Sequence, residues 1–347
     1  MIVIMKPKAT PEHTAGVIAE VERCGFASHP IYGEHLTVVA VVGGHPGDLI
    51  GHFESLPGVD RVVLIDQSYK LVARAGRPSL GFTVGDDLTI GGGAPLTVIA
   101  GPCSVESEGQ VMACARIAAE CGATMLRGGA FKPRTSPYSF QGLGEEGLKL
   151  MAAARAETGL QVVSEVTDPR LCEVAARYVD MIQIGARNMQ NFALLSEAGA
   201  TGLPVMLKRG LAASIDDWLN AAEYVASTGN ERVLLCERGI RTYETATRNT
   251  LDIACVPVLR KLTHLPICLD PSHAAGVREY IPPLMMACAA VGADAIMIEI
   301  HPEPGLALSD GAQSLDFPLF QNVMRQLRAV PRYDYAEAAA NGAPRGS

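Results

Sequence analysis

The segment GGAFKPRTSPYSF, residues 128–140, collects basic and hydroxyl side chains in a stretch that cannot form a helix. Two glycines begin it and two prolines interrupt any regular backbone hydrogen bonding. Lys132 and Arg134 supply positive charge, and Thr135 adds a hydroxyl donor. Such a segment is either a solvated surface loop or a cradle for an anion such as phosphate.

Basic side chains also recur where several short apolar runs end. Arginine presents a planar fork that suits carboxylate and phosphate oxygens, and lysine adds a compact charge. A single basic residue at a strand end is usually an ion-pair partner, but a set on one rim repels itself unless bound anions offset the charge. The sequence therefore predicts substrates with several negative charges, and phosphate is favoured. The basic set is Arg127, Lys132, Arg134, Arg187, Lys208 and Arg238.

A second set of strand-end side chains has the donor atoms of a transition-metal site. Cys103, His273, Glu299 and Asp310 follow the first, seventh and eighth apolar runs. Thiolate, imidazole and carboxylate together suit Zn, Mn, Fe or Co and disfavour Mg or Ca. No two of them have the close spacing of a zinc finger, so each alone could simply be packed. The metal interpretation depends on a fold that brings them together.

Eight short apolar runs, beginning near residues 96, 125, 161, 181, 204, 233, 266 and 295, alternate with amphipathic stretches. This pattern predicts an α/β fold, a closed (β/α)8 TIM barrel over residues 96–330. An open doubly wound sheet is the structural alternative. In a barrel, side chains after the carboxyl ends of the strands meet at one mouth, which would bring both sets together.

The segments around the barrel have their own patterns. Residues 1–67 show the order strand, helix, strand, strand, helix, strand, which predicts a small ferredoxin-like α+β domain. Residues 68–95 predict a linker and then a β-hairpin over 82–93. Residues 331–347 lack apolar periodicity and are expected to be disordered.

The amino-acid composition limits which class of protein this chain can belong to. The chain has 347 residues and is 48% hydrophobic, which is enough for a large core. A formal net charge of −8 argues against binding to nucleic acid or to an anionic membrane. No apolar run approaches the roughly 18 residues of a membrane span, and the first residues do not look like a signal peptide. Nine cysteines without regular spacing favour free thiols in the cytoplasm.

With these segments laid out, the chain resembles the type I 3-deoxy-D-arabino-heptulosonate 7-phosphate (DAHP) synthases, in the subgroup with an N-terminal ferredoxin-like domain. The resemblance covers about residues 1–330. It rests on seven motifs in order: AGPCSVES, LRGGAFKPRTSPYSFQGLG, IGARNMQN, VMLKRG, CERGIRTYE, LDPSHAAG, and EIHPEP with ALSDGAQSL.

The resemblance implies the condensation of phosphoenolpyruvate with erythrose 4-phosphate and water, the first step of the shikimate pathway. The alternative is an octulosonate 8-phosphate synthase, which uses arabinose 5-phosphate on the same barrel. That family reads Lys-Ala-Asn-Arg-Ser where this chain has Lys132, Pro133, Arg134 and Thr135. The difference favours the four-carbon sugar.

The resemblance also implies roles for individual residues. One divalent transition metal (Mn, Zn, Fe or Co) is held by Cys103, His273, Glu299 and Asp310. Phosphoenolpyruvate is bound by Arg127, Lys132, Arg187, Lys208 and Arg238. Erythrose 4-phosphate is gripped by the loop of Lys132, Pro133, Arg134 and Thr135. Lys132 is the expected proton donor to the new alkoxide, and Glu165 is expected either to orient the attacking water or to pair with Lys208.

The small domain leaves two interpretations open. In the resembling subgroup such domains bind aromatic amino acids and inhibit the barrel, whereas residues 1–67 alone could serve only assembly.

A cytoplasmic homo-oligomer is expected, with a tetramer favoured. The remaining class is a non-catalytic scaffold protein on a barrel that has lost its activity. Every expected metal-ligating and anion-binding residue is present at the strand ends, which argues against that class.

Overall fold

The structure, a computed structural model, describes residues 1–33, 36–43, 49–63, 68–132 and 138–342. The chain folds into two compact units, Met1–Ser68 and Tyr69–Ser347. Each unit has its own hydrophobic core, and each is described separately below.

The first unit is a small α+β domain with an antiparallel sheet of order β2-β3-β1-β4. Its strands are β1 (Ile2–Met5), β2 (Ala27–Tyr32), β3 (Thr37–Val42) and β4 (Val59–Val63), and its helices are α1 (Pro11–Arg23) and α2 (Ile50–Glu54). The order of these elements is the predicted ferredoxin-like order.

The start of α1 follows from local chemistry. The Thr10 side chain accepts a hydrogen bond from the His13 amide (3.4 Å), and Pro11 occupies the first helical position, where its missing N–H costs nothing. Val17 and Val21, four residues apart, are buried on one face. The helix therefore packs its apolar stripe on the sheet and leaves the opposite face to solvent.

The second unit begins with a hairpin of β5 (Gly81–Val84) and β6 (Leu88–Gly91) and continues as a parallel barrel. Eight of the described strands close it in the order β10-β11-β12-β13-β14-β7-β8-β9. They are β7 (Thr97–Gly101), β8 (Met125–Arg127), β9 (Gln161–Val166), β10 (Met181–Ile184), β11 (Val205–Lys208), β12 (Val233–Glu237), β13 (Ile267–Leu269) and β14 (Ala295–Glu299). Each begins within a residue of a predicted run, so the TIM-barrel prediction is confirmed.

Helices follow the barrel strands and bury their apolar faces on them. In the described chain, none of these helices is both long enough and apolar enough to cross a bilayer. They are α3 (Glu108–Glu120), α4 (Glu145–Thr158), α5 (Cys172–Ala176), α6 (Phe192–Ala200), α7 (Ile215–Ala226), α8 (Cys255–Leu262), α9 (Pro271–Ala275), α10 (Ile281–Ala290) and α11 (Phe317–Leu327).

Helix α7 shows how a cap and a buried anchor fix one of these helices. Ser214 and Asp217 cap its start reciprocally, since the Ser214 hydroxyl accepts from the Asp217 amide (3.1 Å) and the carboxylate accepts from the Ser214 amide (2.9 Å). Trp218 is fully buried, and its indole N–H donates to the Leu207 carbonyl on β11 (3.1 Å). This hydrogen bond fixes α7 to β11, the strand that ends at Lys208.

Residues 69–80, expected to be a linker, are packed against the barrel. Tyr69 and Val72 are buried, and the backbone amides of residues 70–72 donate to the Glu223 carboxylate at 2.9–3.0 Å. Beyond them, three hairpin side chains pack among the inward-facing residues of the barrel strands. These are Phe82, Val84 and Ile90. The hairpin therefore closes the amino-terminal end of the barrel.

The expectation of disorder over residues 331–347 is wrong for its first part. A helix, α12, spans Tyr335–Gly342. The Asp334 carboxylate accepts the amide of Ala336 (2.8 Å), and the Tyr335 hydroxyl donates to the Val291 carbonyl (2.9 Å). Contacts with the barrel, rather than an apolar stripe, hold this helix, so sequence periodicity gave no sign of it. Residues 343–347 lie outside the described part of the chain.

Candidate active site

A cavity of about 680 Å³ opens at the carboxyl ends of the barrel strands. Its lining is rich in arginine and lysine, although the chain as a whole is acidic. The predicted residues in this lining are Arg127, Lys132, Glu165, Arg187, Lys208, Arg238, His273 and Asp310. The predicted loop residues Pro133, Arg134 and Thr135 lie outside the described residues.

Lys208 is held in the cavity wall by a buried ion pair. Its Nζ donates to Asp270 Oδ2 at 2.6 Å, and both side chains are almost entirely inaccessible to solvent. Burial alone would lower the pKa of Lys208, but the Asp270 charge outweighs that effect and raises it. Lys208 is therefore a permanent cation at the end of β11, facing a site that can receive an anion.

Glu165 does not pair with Lys208 in the described structure, so that alternative from the sequence is wrong. Its Oε2 instead accepts a hydrogen bond from Gln183 Nε2 (3.2 Å) on the neighbouring strand. A Cβ at Gly185 would lie 2.0 Å from Glu165 Oε1, so any side chain there would push the carboxylate out of its present position. Glu165 thus faces the cavity with one hydrogen-bonding side-chain partner among the described residues, Gln183.

Removing the Asp270 charge should destabilise the folded chain strongly. We expect Asp270→Asn to lower the free energy of unfolding by roughly 3–5 kcal/mol, because Lys208 is left as a buried charge without its counterion. Urea unfolding followed by circular dichroism measures the change. Glu173→Gln, which breaks the exposed Glu173–Arg177 pair, is the control and should change little. Equal losses in the two variants would contradict this account.

Three of the four predicted metal ligands form a compact cluster. One donor atom each from Cys103, Glu299 and Asp310 lies within 4.8 Å of the other two. The Cys103 thiol donates to Asp310 Oδ2 at 3.1 Å. His273 lies outside that mutual limit, but its Nε2 is 3.4 Å from Glu299 Oε1. The structure therefore places the fourth predicted ligand beside the cluster.

Asp270 also orients His273. The Asp270 side chain accepts the His273 amide at the start of α9 (3.0 Å), and its Oδ2 lies 2.7 Å from Nδ1 of the ring. This contact leaves Nε2 turned towards Glu299. Burial lowers the pKa of His273 despite the carboxylates nearby, so the ring is neutral at neutral pH. A neutral imidazole with one nitrogen held by a carboxylate is the form that ligates metals.

The electrostatics of the cluster fit a divalent cation. Burial, with the Glu299 charge, raises the pKa of the Cys103 thiol to about 12, so the thiol holds its proton unless a cation compensates. Glu299 Oε1 is buried and accepts no well-aligned hydrogen bond from the described residues, although Arg127 Nη1 lies 3.0 Å away. Sulfur, nitrogen and oxygen donors crowded together suit a transition metal.

Asp310 brings its carboxylate to the cluster through an uncommon backbone conformation. Its φ of 51° lies in the left-handed region, which costs energy for a residue with a side chain. Burial alone would raise the pKa of Asp310, but His273 and the Cys103 hydrogen bond outweigh burial and hold it at about 2. Asp310 is therefore ionised at neutral pH and available as a ligand.

Two residues that the sequence interpretation missed connect the ligands. Gln313 Nε2 donates to Glu299 Oε2 (2.6 Å), and Arg248 Nη1 donates both to Gln313 Oε1 (2.8 Å) and to Asp310 Oδ1 (3.1 Å). Gln313 stands in the motif ALSDGAQSL, so that motif could have signalled it. Arg248 follows no strand directly, and nothing in its spacing marks it.

Lys132 and Arg127 join the cationic cavity to the cluster. Lys132 Nζ lies 2.9 Å from the Cys103 carbonyl oxygen and 3.1 Å from its Sγ, and Arg127 Nη2 donates to the same carbonyl (3.2 Å). A Cβ at Gly129 would come within 2.8 Å of the Cys103 carbonyl oxygen, which is rigid backbone, so glycine is needed for this approach. The cluster and the anion-attracting side chains therefore form one site.

Comparison with known families matches both units. The family model "DAHP synthetase I family" matches residues 70–330, and the model "DAHP synthase ferredoxin-like domain" matches residues 1–67. Together they cover the described barrel and the small domain.

Individual proteins agree with the family models. The chain is 48% identical over 330 residues to the phospho-2-dehydro-3-deoxyheptonate aldolase of Thermotoga maritima, covering 95% of this chain and 97% of that protein. The crystal structure of the Thermotoga maritima DAHP synthase superposes with a TM-score of 0.77 at 47% identity, covering 97% of both chains. A 2-dehydro-3-deoxyphosphooctonate aldolase from Syntrophotalea carbinolica is 36% identical over 262 residues, covering 70% of this chain and 94% of that protein.

Proposed function

The chain belongs to the DAHP synthetase I family and is a DAHP synthase, and we propose that the cavity at the barrel mouth performs that reaction with the residues assigned below. The reaction joins phosphoenolpyruvate to erythrose 4-phosphate with water and gives DAHP and phosphate. The observation that carries the assignment is the contact of Lys132 with Cys103, which brings the cationic cavity against the cluster of Cys103, Glu299 and Asp310.

Phosphoenolpyruvate is bound by the cations of the cavity wall. Its carboxylate and phosphate need several fixed positive charges, and guanidinium groups bind such oxygens in pairs. Lys208 and Arg127 are buried cations whose carboxylate partners, Asp270 and Glu299, hold them in place. The residues assigned to phosphoenolpyruvate are Arg127, Lys132, Arg187, Lys208 and Arg238.

The sugar phosphate binds beside them, at the loop that follows Lys132. Arg134 and the Thr135 hydroxyl are assigned to its phosphate, and Pro133 belongs to the same sequence segment. This assignment rests on the sequence, because these three residues lie outside the described part of the chain. Ser139 lines the cavity just beyond them.

A single divalent transition metal (Mn, Zn, Fe or Co) is assigned to Cys103, His273, Glu299 and Asp310. When bound, it supplies Lewis-acid polarisation of a carbonyl oxygen. Arg248 and Gln313 keep two of the carboxylates in position through the hydrogen bonds described above. Asp270 keeps His273 turned towards the site, and burial keeps the ring neutral by lowering its pKa.

The reacting carbons are brought together by charge and position. Carbon 3 of phosphoenolpyruvate forms a bond to the aldehyde carbon, and water adds at carbon 2. The bond between carbon 2 and the phosphate oxygen then breaks and releases phosphate; one proton of the water restores the Lys132 ammonium group, and the other leaves with the phosphate. Lys132 donates a proton to the aldehyde oxygen as it becomes a hydroxyl. Glu165, held by Gln183, orients the water. Two anions that would repel each other in solution are held close by the cationic wall.

The choice of sugar tests the function directly. We expect phosphate release from phosphoenolpyruvate to be at least about tenfold faster, as kcat/KM, with erythrose 4-phosphate than with arabinose 5-phosphate, since a misplaced sugar phosphate loses its positioned contacts. Colorimetric phosphate assays with Mn, Zn or Co added separately make the measurement. A preference for arabinose 5-phosphate would assign the chain to octulosonate 8-phosphate synthesis instead.

The small domain is assigned to feedback regulation by an aromatic amino acid. The matching of residues 1–67 to the ferredoxin-like domain model supports a separate function for this unit.

Nine free thiols within the described chain support a reducing, cytoplasmic compartment. The functional form is proposed to be a homo-oligomer, with a tetramer favoured.

Deletion of residues 1–67 tests that assignment. We expect tyrosine or phenylalanine to inhibit the full chain and to leave the deleted chain uninhibited, because a ligand can change activity only through a site that it binds. Titration of each amino acid against the initial rate gives the answer. Inhibition that survives the deletion unchanged would place the effector site in the barrel unit.

A further inference from the structure

The small domain contains a second group of metal-ligating side chains. Glu20 and Cys24 stand four residues apart at the end of α1, and His52 stands in α2. One donor atom from each lies within 4.8 Å of the other two. His52 Nε2 is 2.5 Å from Glu20 Oε1. None of these three side chains is among the residues assigned above to the substrates or to the barrel metal.

The core of the domain fixes the helices that carry these side chains. Residues four apart share one face of a helix, so Glu20 and Cys24 point the same way. Val17 and Val21 are buried under α1, and Phe53, next to His52, is fully buried under α2. The two helices therefore present their ligands to each other without any rearrangement of the backbone.

The donor set is that of a borderline-soft cation. It combines a thiol, an imidazole and a carboxylate, the side chains that bind Zn²⁺ and its neighbours rather than Mg²⁺ or Ca²⁺. Tetrahedral zinc with bonds of about 2.0–2.3 Å needs ligand atoms roughly 3.3–3.8 Å apart. His52 Nε2 and Glu20 Oε1 are 2.5 Å apart and every pair of donor atoms lies within 4.8 Å, so small side-chain rotations reach that geometry.

Two features bear on metal affinity. Arg23 donates to Glu20 through Nε (2.8 Å), and His52 Nε2 contacts the same carboxylate. The Arg23 charge also repels an incoming cation. Cys24 is partly exposed, whereas the other eight cysteines are buried, so its thiol is accessible to ions in solution.

We propose that Glu20, Cys24 and His52 form a binding site for one divalent transition metal of the zinc type, with water as the fourth ligand. On binding, the Cys24 thiol gives its proton to solvent, and the ion replaces the hydrogen bond between His52 and Glu20. The ion joins the end of α1 to α2. The site lies wholly within residues 1–68 and is distinct from the cluster of Cys103, Glu299 and Asp310.

Zinc stoichiometry in the full-length chain tests the proposal. The background is Cys103→Ala, which removes a ligand of the barrel cluster. Titration against a chromogenic chelator should show about one more zinc ion per chain than in the same background with His52→Ala or Cys24→Ser. His29→Ala removes an exposed histidine of β2 and is the matched control, which should keep the ion. Equal stoichiometry in all these variants would overturn the proposal.

Thiol protection gives a second, independent measurement. In the wild-type chain, zinc should slow maleimide labelling of Cys24, located by peptide mass spectrometry, by at least about tenfold, since a coordinated thiolate is shielded from alkylation. Arg23→Gln should bind zinc roughly fivefold more tightly, because a repelling charge is removed. A gain of affinity cannot come from unfolding. Labelling unaffected by zinc, or weaker binding in Arg23→Gln, would refute the site.

Discussion

Cys103→Ala is expected to lower kcat/KM by more than about 1,000-fold, because Lewis-acid assistance by a bound metal is worth several kcal/mol. The same variant should lose most of its bound metal, since Cys103 supplies one of three clustered donor atoms. Steady-state kinetics and elemental analysis of the purified protein, made on one preparation, show whether the two losses occur together.

The matched control is Cys114→Ala. Cys114 is also a buried thiol, but it lies on α3 and its Sγ donates to the Ile300 carbonyl rather than to a carboxylate of the cluster. This variant should keep both its metal and its rate. Full activity of Cys103→Ala in the presence of a chelator would remove the metal from the reaction.

Lys132→Met is expected to lower kcat by about 10²–10⁴-fold, the usual contribution of a positioned general acid. Methionine keeps a chain of similar length and removes the ammonium group that lies 3.1 Å from Cys103 Sγ. KM for phosphoenolpyruvate should also rise, because one cation of the cavity wall is lost. Rapid-quench measurements of a single turnover separate the chemical step from binding.

Metal content distinguishes proton donation from a structural role. If Lys132 donates the proton, the variant keeps its metal while kcat falls. If metal content falls in proportion to the rate, Lys132 acts by holding Cys103 in place. Lys149→Met, at an exposed lysine of α4 paired with Glu146, controls for the loss of a surface charge and should leave kcat unchanged.

The barrel could be predicted from the sequence because its strands are buried on both faces and therefore appear as continuous apolar runs. If the eight runs are the parallel strands of one barrel, the residues that follow each run must meet at its carboxyl-terminal end. Cys103 and Asp310 are 207 residues apart along the chain, yet topology alone predicts that they meet with Glu299.

The pairing of side chains within the mouth could not be predicted. Lys208 had two carboxylates within reach of its strand end, Glu165 and Asp270, and only the geometry shows that it bonds Asp270. The same holds for Arg248, whose contact with Asp310 depends on the path of two loops. Strand periodicity predicts which face a residue occupies, but it carries no information on loop conformation.

The structure of two segments that are stabilised by tertiary contacts could not be predicted from the sequence either. Residues 70–72 show no periodic pattern, yet their amides converge on the Glu223 carboxylate of α7. Helix α12 is held by the Tyr335 hydroxyl and by Arg260, whose guanidinium lies 5.4 Å from the ring centre. In both segments the stabilising partner is distant in sequence, so a local window does not contain it.

Because Phe82, Val84 and Ile90 of the β5–β6 hairpin fill the amino-terminal end of the barrel, small molecules exchange with the cavity from the opposite side. The phosphate set free during turnover therefore departs through the passage by which the aldose arrives. The two molecules compete for the same route and for the same guanidinium groups. Accumulated phosphate should slow the entry of fresh sugar, so the enzyme's throughput is tied to how quickly its inorganic by-product is cleared.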